Sequence, residues 1–279
     1  MNNPIASSTE PLLSSPTVAQ PDARSVPDDP WQIPWRLEYA AHSGTGASRR
    51  RNQDHAKISD AVALFAVADG IGGYRGGERA SLLAVEAVHE YLLILQQDGL
   101  GPDRRLIREA FEVVNTLIRE KTIEDSGEVG MATALTVLLL AGSRFYLGHV
   151  GNGRAYRVSG GKAKQWTLDH TVVAEQLRHG VITPAEAETH PLRKVVSRSV
   201  GRRSSLEVDV RQGRVRPGDA FVLATSGIAC TLDTSVVEAA LASSPRPAEM
   251  VRALVRNAAN GGARDDLTTL VVCCHEPPE

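Results

Sequence analysis

The sequence predicts an α+β fold in which antiparallel sheets carry helices on their outer faces. One indication is that the predicted helices come in pairs between groups of short predicted strands. Another is that the strand candidates between residues 132 and 158 are joined by short turns at 142–143 and 151–153. Because such short connections join antiparallel neighbours, we expect these strands to pair with one another. Helices segregated to the outside of antiparallel sheets define an α+β layer arrangement.

The individual elements are predicted from apolar patterns. The clearest strand is AVALFAVA at residues 61–68, a continuous apolar run that ends at Asp69 as a buried strand would. The further strand candidates are residues 132–140, 145–150, 155–158, 206–210, 220–224 and 267–274. Apolar residues at helical spacing predict helices over residues 79–97, 106–123, 234–241 and 247–259.

Composition narrows the classes of function. The chain has 279 residues, of which 42% are hydrophobic and 23% charged, as is ordinary for a globular protein. Its formal net charge of −2 gives no long-range attraction to nucleic acid or an anionic membrane, so we expect neither as a partner. The three cysteines, Cys230, Cys273 and Cys274, form no disulfide framework. Together with the lack of a long apolar run or a signal-peptide pattern, they predict a cytoplasmic protein.

The first 34 residues differ from the rest. They are rich in Pro and Ser and have no apolar period, so we expect residues 1–34 to form a disordered tail and residues 35–276 to form one domain. Trp31 and Trp35 flank the end of this tail. They could attach it to the domain, cover an exposed edge of the core or contact a partner, and the sequence leaves these alternatives open.

Three aspartates stand where predicted strands end or turns begin: Asp54, Asp69 and Asp265. Each alone is explained as a turn former or helix cap. Taken together they suggest a metal site, because carboxylate oxygens are preferred ligands of Mg²⁺ and Mn²⁺. Two such ions could activate a water for attack on a phosphoester without a Ser, Cys or His nucleophile.

The glycine-rich stretch from Asp69 to Glu78 tests a competing function, nucleotide binding. A dinucleotide fingerprint starting at Gly70 would need glycine at position 75, which is Arg, and no Lys-Ser or Lys-Thr follows as in a P-loop. An aspartate at the loop entrance would also repel a pyrophosphate. The stretch is better explained by close approach of backbone to a small ligand, with the Gly70 carbonyl binding a metal held by Asp69.

The chain resembles the metal-dependent PPM/PP2C-type serine/threonine protein phosphatases in their compact bacterial form. The resemblance extends from about residue 39 to residue 272 and depends on several motifs in family order. They are RxxNQD (49–54), VADGIGGYRGGERAS (67–81), GMATALT (130–136), HVGNGRAY (149–156), TLDHT (167–171), ATSG (224–227) and GARDDLT (262–268).

This resemblance implies a four-layer αββα sandwich, two packed antiparallel sheets flanked by helices, with two Mn²⁺ or Mg²⁺ ions at one end. It implies that Asp69 bridges the ions, that the Gly70 carbonyl and Asp265 bind them, and that Asp54 binds metal-bound water. Arg49 would bind the substrate phosphate, for which a planar guanidinium is suited. The segment from about residue 171 to 192 resembles the family's mobile flap, and it includes Thr171, Thr183 and His190.

Two departures from the family pattern leave alternatives open. Ser226 stands where the family has an aspartate metal ligand, and Asn152 stands where it has an acid often tied to a third metal. The second metal is therefore uncertain from sequence. The protein is expected to be a phosphatase, and a pseudophosphatase that binds a phosphoprotein or kinase is the alternative. The general acid is also open, with Tyr74 and bulk water as candidates; His149, His170 and His190 are better explained as structural or flap residues.

The resemblance also implies partners. We expect phosphoserine and phosphothreonine proteins as substrates and a cognate bacterial Ser/Thr kinase whose phosphorylation the protein reverses. We expect a monomer.

Overall fold

The computed structural model describes residues 29–71, 76–124 and 130–276, and these ranges form ten strands and seven helices. Residues 1–28 of the predicted tail and Tyr74 lie outside the described residues. The strands are β1 (Arg36–Gly44), β2 (Asp54–Ser59), β3 (Leu64–Ile71), β4 (Ala132–Ala141), β5 (Arg144–Val150), β6 (Arg154–Ser159), β7 (Lys162–Gln165), β8 (Asp209–Arg214), β9 (Ala220–Ala224) and β10 (Leu267–His275). The helices are α1 (Gly76–Gln97), α2 (Arg104–Glu124), α3 (Val172–Arg178), α4 (Pro184–Thr189), α5 (Ser226–Ala229), α6 (Thr234–Ala242) and α7 (Pro247–Asn260).

The strands form two five-stranded antiparallel sheets. One sheet has the order β1-β10-β9-β6-β7 and the other has the order β2-β3-β4-β5-β8. Helices α6 and α7 pack on the first sheet, and α1 and α2 pack on the second. A third apolar cluster fills the space between the sheets. The predicted αββα sandwich is therefore confirmed.

Strand β4 explains why the centre of the sandwich is encoded by a continuous apolar run. All ten of its residues are buried. Leu135, Val137 and Leu139 belong to the cluster beneath α1 and α2, whereas Leu138 and Leu140 belong to the cluster between the sheets. Because successive side chains of a strand point to opposite faces, a strand that is covered on both faces shows no polar alternation.

Helix α1 begins directly against the end of β3. Its buried stripe repeats every four residues at Ala80, Ala84, Val88 and Leu92, which orients one face of the helix toward the sheet. At its first turn, a Cβ on Gly70 would lie only 2.2 Å from the carbonyl oxygen of Gly77. Glycine is therefore required where the strand meets the helix, and this close approach fixes the end of β3.

The prediction that all strands between residues 132 and 158 pair with one another is wrong for one connection. Strand β4 pairs with β5, but β5 pairs next with β8, and β6 pairs with β7 and β9 in the other sheet. The turn at 151–153 instead carries the chain between sheets. Gly151 has φ +117°, and a Cβ there would lie 2.3 Å from that of Ala134, so this crossing requires glycine.

Two strands differ from their predicted bounds by more than one residue. Strand β3 begins at Leu64, because residues 60–63 form a turn. Strand β8 covers Asp209–Arg214 instead of residues 206–210, and most of its side chains are at least partly exposed. A polar strand at the edge of a sheet gives no apolar run to detect.

The described chain before β1 packs on the domain through Trp31. This side chain is buried and belongs to the cluster beneath α1 and α2, and its Nε1–H donates to the Leu100 carbonyl at 2.8 Å. Residues from position 29 onward therefore contact the folded core. In the described ranges, none of the helices combines the length and the apolarity required to cross a bilayer.

Candidate active site

The site is built around Asp54 and Asp69, which lie opposite each other on neighbouring strands. The register of β2 and β3 pairs these two residues directly. Phe65 and Val67 of β3 belong to the cluster between the sheets, so Asp69, two residues further, points toward the same space at its end. The two carboxylates thus lie side by side at one end of the sandwich.

Both carboxylates are costly to ionise in this position. Asp54 is only 3% exposed, and its burial, together with the charge of Asp69, holds the pKa of its carboxyl well above the usual range. Removal from water likewise raises the pKa of Asp69 to about 6, although a hydrogen bond from Ser226 opposes this shift. In the described part of the chain, no Lys or Arg forms an ion pair with either group. Positive charge supplied from outside would therefore stabilise both.

Hydroxyl donors to this pair come from the end of β9, in the first sheet, and from the start of α5. The Thr225 Oγ1–H donates to Asp54 Oδ2 at 2.6 Å, from the residue that follows β9. Ser226, the first residue of α5, donates both its hydroxyl and its backbone N–H to Asp69 Oδ2, the latter at 3.3 Å. At the position where the family resemblance implies a metal-binding carboxylate, this chain therefore has a hydrogen-bond donor to Asp69.

Asp265 is linked to the site by its contact with Arg49. The Arg49 Nε–H donates to Asp265 Oδ1 at 2.6 Å, and both side chains are partly exposed. Burial alone would raise the pKa of Asp265, but this hydrogen bond and the arginine charge lower it overall. The charge of Asp265 also raises the pKa of Asp69, and the Arg49 charge lowers it, while the charge of Asp69 raises the pKa of Asp54. The structure thus brings together Arg49, Asp54, Asp69 and Asp265.

Other predicted residues occupy the same end or its surroundings. Gly70 follows Asp69 and its N–H donates to the Gln53 carbonyl at 3.0 Å; metal binding by its own carbonyl stays a prediction. Asn152 lies in the crossing turn between β5 and β6, where residue 154 pairs with residue 224 next to Thr225. This turn therefore lies at the site end of the sandwich.

The predicted flap contains α3 and α4. Thr171 caps α3 by accepting the Ala174 N–H, and Thr183 caps α4 in a capping box with Glu186. His190 ends α4, and its Nδ1 accepts the Leu192 N–H at 3.1 Å. These three residues shape the segment itself. None of the hydrogen bonds recorded for them within the described residues reaches the four groups of the site.

Two contributors to the site were not identified from sequence. Thr225 precedes Ser226 in the ATSG motif, and buried Asp266 follows Asp265 and accepts two backbone N–H groups. Both stand inside motifs that carry the family resemblance, and that position is the only signal that could have indicated them. Hydroxyl and carboxylate groups at strand ends are otherwise common turn residues.

The donor chemistry of this end fits a divalent cation. It combines two adjacent carboxylates that lack an ion pair among the described residues, Asp54 buried and Asp69 half-buried, with a third carboxylate, Asp265, close enough to raise the pKa of Asp69. The described residues do not contain three or more His, Cys, Asp or Glu side chains arranged as a complete ligand set, and Asp265 is engaged by Arg49. Oxygen donors of this kind are preferred by Mg²⁺ and Mn²⁺.

Comparison with known proteins identifies the family. The sequence profile of the family named protein phosphatase 2C matches residues 41–271, and the chain belongs to that family. Serine/threonine protein phosphatase PstP of Mycobacterium tuberculosis is 33% identical over 236 residues, which cover 84% of this chain and 44% of PstP. The chain therefore spans less than half the length of that relative. Protein phosphatase PhpP of Streptococcus pneumoniae is 29% identical over 243 residues, which cover 86% of this chain and 98% of PhpP.

A solved structure shows the same fold. The catalytic domain of serine/threonine protein phosphatase PstP, crystallised in complex with two manganese ions, matches this chain with a TM-score of 0.75 and 31% sequence identity. The match covers 86% of this chain and 98% of that one. The family resemblance inferred from the motifs is therefore confirmed.

Proposed function

We propose that this protein is a metal-dependent phosphatase of phosphoserine and phosphothreonine proteins. The observation that carries the proposal is the convergence of Arg49, Asp265 and the adjacent carboxylates of Asp54 and Asp69 at one end of the two sheets. A cationic phosphate-binding group beside carboxylates that favour divalent ions is the set of groups that phosphoester hydrolysis requires.

The proposed metal-binding residues are Asp69, Asp265, the Gly70 carbonyl and, through water, Asp54. When bound there, Mn²⁺ or Mg²⁺ supplies Lewis-acid chemistry and makes water nucleophilic near neutral pH. Asp69 would hold the metal from a position between Asp54, its partner across β2 and β3, and Ser226 at the start of α5. The hydrogen bonds from Thr225 and Ser226 hold the two carboxylates in fixed orientations.

Arg49 is proposed to bind and orient the substrate phosphate. Only its Nε–H is engaged by Asp265, and within the described residues its two terminal nitrogens make no hydrogen bond. These nitrogens can donate as a fork to two phosphate oxygens. The guanidinium would thereby both anchor the substrate and stabilise the negative charge that develops on the phosphoryl oxygens.

The relatives support an enzyme over the pseudophosphatase alternative, since PstP and PhpP are named as phosphatases and PstP binds two manganese ions. Ser226 replaces a carboxylate with a hydroxyl, so we expect weaker binding of at least one ion than a complete carboxylate set would give. We expect the same direction of effect from Asn152. We therefore propose an active enzyme that requires a higher Mn²⁺ or Mg²⁺ concentration than an enzyme with the complete carboxylate set would.

The same proposal covers the biological setting. It includes a cognate Ser/Thr kinase as the opposing partner, a monomeric state, and a cytoplasmic location consistent with the cysteine content. It also includes a catalytic domain over residues 35–276 that follows an N-terminal tail, whose end packs on the domain through Trp31. The curated names of PstP and PhpP support phosphoprotein substrates but do not select one.

Turnover of a phosphothreonine peptide in millimolar Mn²⁺ tests the proposal. We expect activity in the wild-type protein that EDTA removes and that Asp69→Asn lowers by more than about 100-fold, because it removes a carboxylate shared by the ions. Asp60→Asn, an exposed aspartate outside the site, serves as the control and should retain activity. Absence of turnover by the wild-type protein across the Mn²⁺ range would reject the phosphatase proposal and favour the pseudophosphatase alternative.

A further inference from the structure

The buried carboxylate of Asp266 joins two separate points of the chain. It is 3% exposed and lies between Asp265 and the first residue of β10. Its Oδ1 accepts the Gly46 N–H at 2.9 Å, and its Oδ2 accepts the Gln53 N–H at 2.8 Å. These two residues stand at the ends of the segment 46–53, which contains Arg49. One carboxylate therefore holds both ends of the segment that presents the arginine.

The first end of the segment packs tightly on the backbone beside Asp266. A Cβ on Gly46 would lie 2.1 Å from the Asp265 carbonyl oxygen, so a side chain cannot be accommodated there. The backbone N–H and the hydroxyl of Ser48 both donate to the Arg264 carbonyl, at 2.9 and 2.6 Å. The arginine segment is thus attached to residues 264–266 directly before Arg49.

The other end of the segment connects to the Asp54–Asp69 carboxylate pair. Gln53 directly precedes Asp54, and its carbonyl accepts the Gly70 N–H at 3.0 Å and the Ser81 hydroxyl at 2.6 Å. Asp266 therefore fixes, through Gln53, the position of the arginine segment relative to the ends of β2 and β3. Loss of this connection would let Arg49 move relative to Asp54 and Asp69.

We propose that Asp266 is a positioning residue that holds Arg49 beside Asp265, near Asp69, by accepting the N–H groups at both ends of segment 46–53. This inference rests on the proposed phosphatase function for its effect on catalysis, but the two hydrogen bonds themselves can be tested without it. A carboxylate suits the role because it has acceptor oxygens on both sides, whereas an amide would present an NH₂ group to one of the two N–H donors.

Asp266→Asn is the principal variant, and Asp219→Asn is its matched control. Asp219 is also a buried aspartate that accepts a backbone N–H, from Arg216 at 2.8 Å, but it precedes β9 at the opposite end. The five residues of β9 separate the two ends by roughly 17 Å. Hydrogen-exchange mass spectrometry should show faster exchange in segment 46–53 for Asp266→Asn and unchanged exchange there for Asp219→Asn. Unchanged exchange in both variants would overturn the proposed attachment.

Kinetics then test whether the attachment acts through Arg49. We expect Asp266→Asn to raise the KM for a phosphothreonine peptide and the inhibition constant of inorganic phosphate, lowering kcat/KM on the order of 10- to 100-fold. Combined with Arg49→Ala, the same substitution should cost less than about 2-fold, because the group it positions is already absent. Additive losses in the double variant would overturn the positioning role.

Asp266→Glu keeps both acceptor oxygens and decides the question if the asparagine variant does not fold. It should retain a larger part of kcat/KM than Asp266→Ala, with its remaining loss also suppressed by Arg49→Ala. Equal losses in Asp266→Glu and Asp266→Ala, independent of Arg49, would contradict the proposal. If the wild-type protein has no phosphatase activity, the proposed function fails, while the exchange measurement still decides whether Asp266 holds the segment.

Discussion

Acidic side chains have opposite surroundings at the two ends of the sandwich. At one end, Asp219 is 1% exposed, and its carboxylate pairs with Arg157 at 2.6 Å. At the other end, Asp54 and Asp69 lie side by side without an ion pair among the described residues. The sandwich thus contains one acid that Arg157 neutralises and two that no Lys or Arg of the described residues neutralises. The first contact stabilises the fold, whereas the two unpaired carboxylates lower its stability and are available to the cation proposed above.

Asp219→Asn removes the ion pair with Arg157 and should give the largest effect on stability in this series. It leaves the mostly buried Arg157 without its carboxylate, so we expect the free energy of unfolding to fall by about 3 kcal/mol. Urea unfolding in EDTA measures this change. Activity per folded molecule should be retained. A change of less than about 0.5 kcal/mol in the free energy of unfolding would show that the Asp219–Arg157 ion pair does not stabilise the fold.

Ser226→Asp should sharpen the contrast at the other end. It places another carboxylate beside Asp69, so the metal-free protein should melt at a lower temperature, whereas Mn²⁺ affinity should rise by about 10- to 100-fold. Thermal melting as a function of Mn²⁺ concentration measures both effects.

The uncharged variant Ser226→Asn is the control for this substitution, since it changes the size of the side chain without adding charge. If Ser226→Asp and Ser226→Asn bind Mn²⁺ equally, charge at this position does not set metal affinity. Wild-type affinity equal to that of Ser226→Asp would show that the serine already forms a complete site.

Thr225→Val should produce the smallest effect of the series. It removes the hydroxyl that donates to Asp54 Oδ2, so we expect a loss of about 1 kcal/mol in the free energy of unfolding and a weaker response to Mn²⁺. Thr269→Val removes a buried hydroxyl bond to the Leu223 carbonyl in the same pair of strands. That control should lose similar stability but keep the wild-type Mn²⁺ response. Identical Mn²⁺ responses in both variants would show that Thr225 does not contribute to metal binding.

The elements with strong apolar patterns could be predicted from the sequence. Strand β9 has the predicted bounds, and α6 and α7 each extend one residue beyond theirs. The helix pairs and the continuous run of β4 are encoded by local burial. The predicted position of strand β8 was wrong by three or more residues at each end, because its exposed polar residues give no such pattern.

Features that depend on distant contacts could not be predicted from local sequence. The turn at 151–153 is short enough for a hairpin, and only the strand pairing of the folded chain shows that it crosses between the sheets. The three carboxylates of the site were identified from their position at predicted strand ends and given roles by the family motifs. Asp266 was not identified, because a buried acceptor of two distant N–H groups has no sequence signature.

Isothermal titration calorimetry of Mn²⁺ into metal-free protein tests most directly whether the paired carboxylates form a cation site. We predict that the wild-type protein binds Mn²⁺, that Asp69→Asn loses most of this binding, and that Asp219→Asn, when folded, retains it. Equal Mn²⁺ binding by the wild-type protein and Asp69→Asn, or no binding by either, would contradict the account.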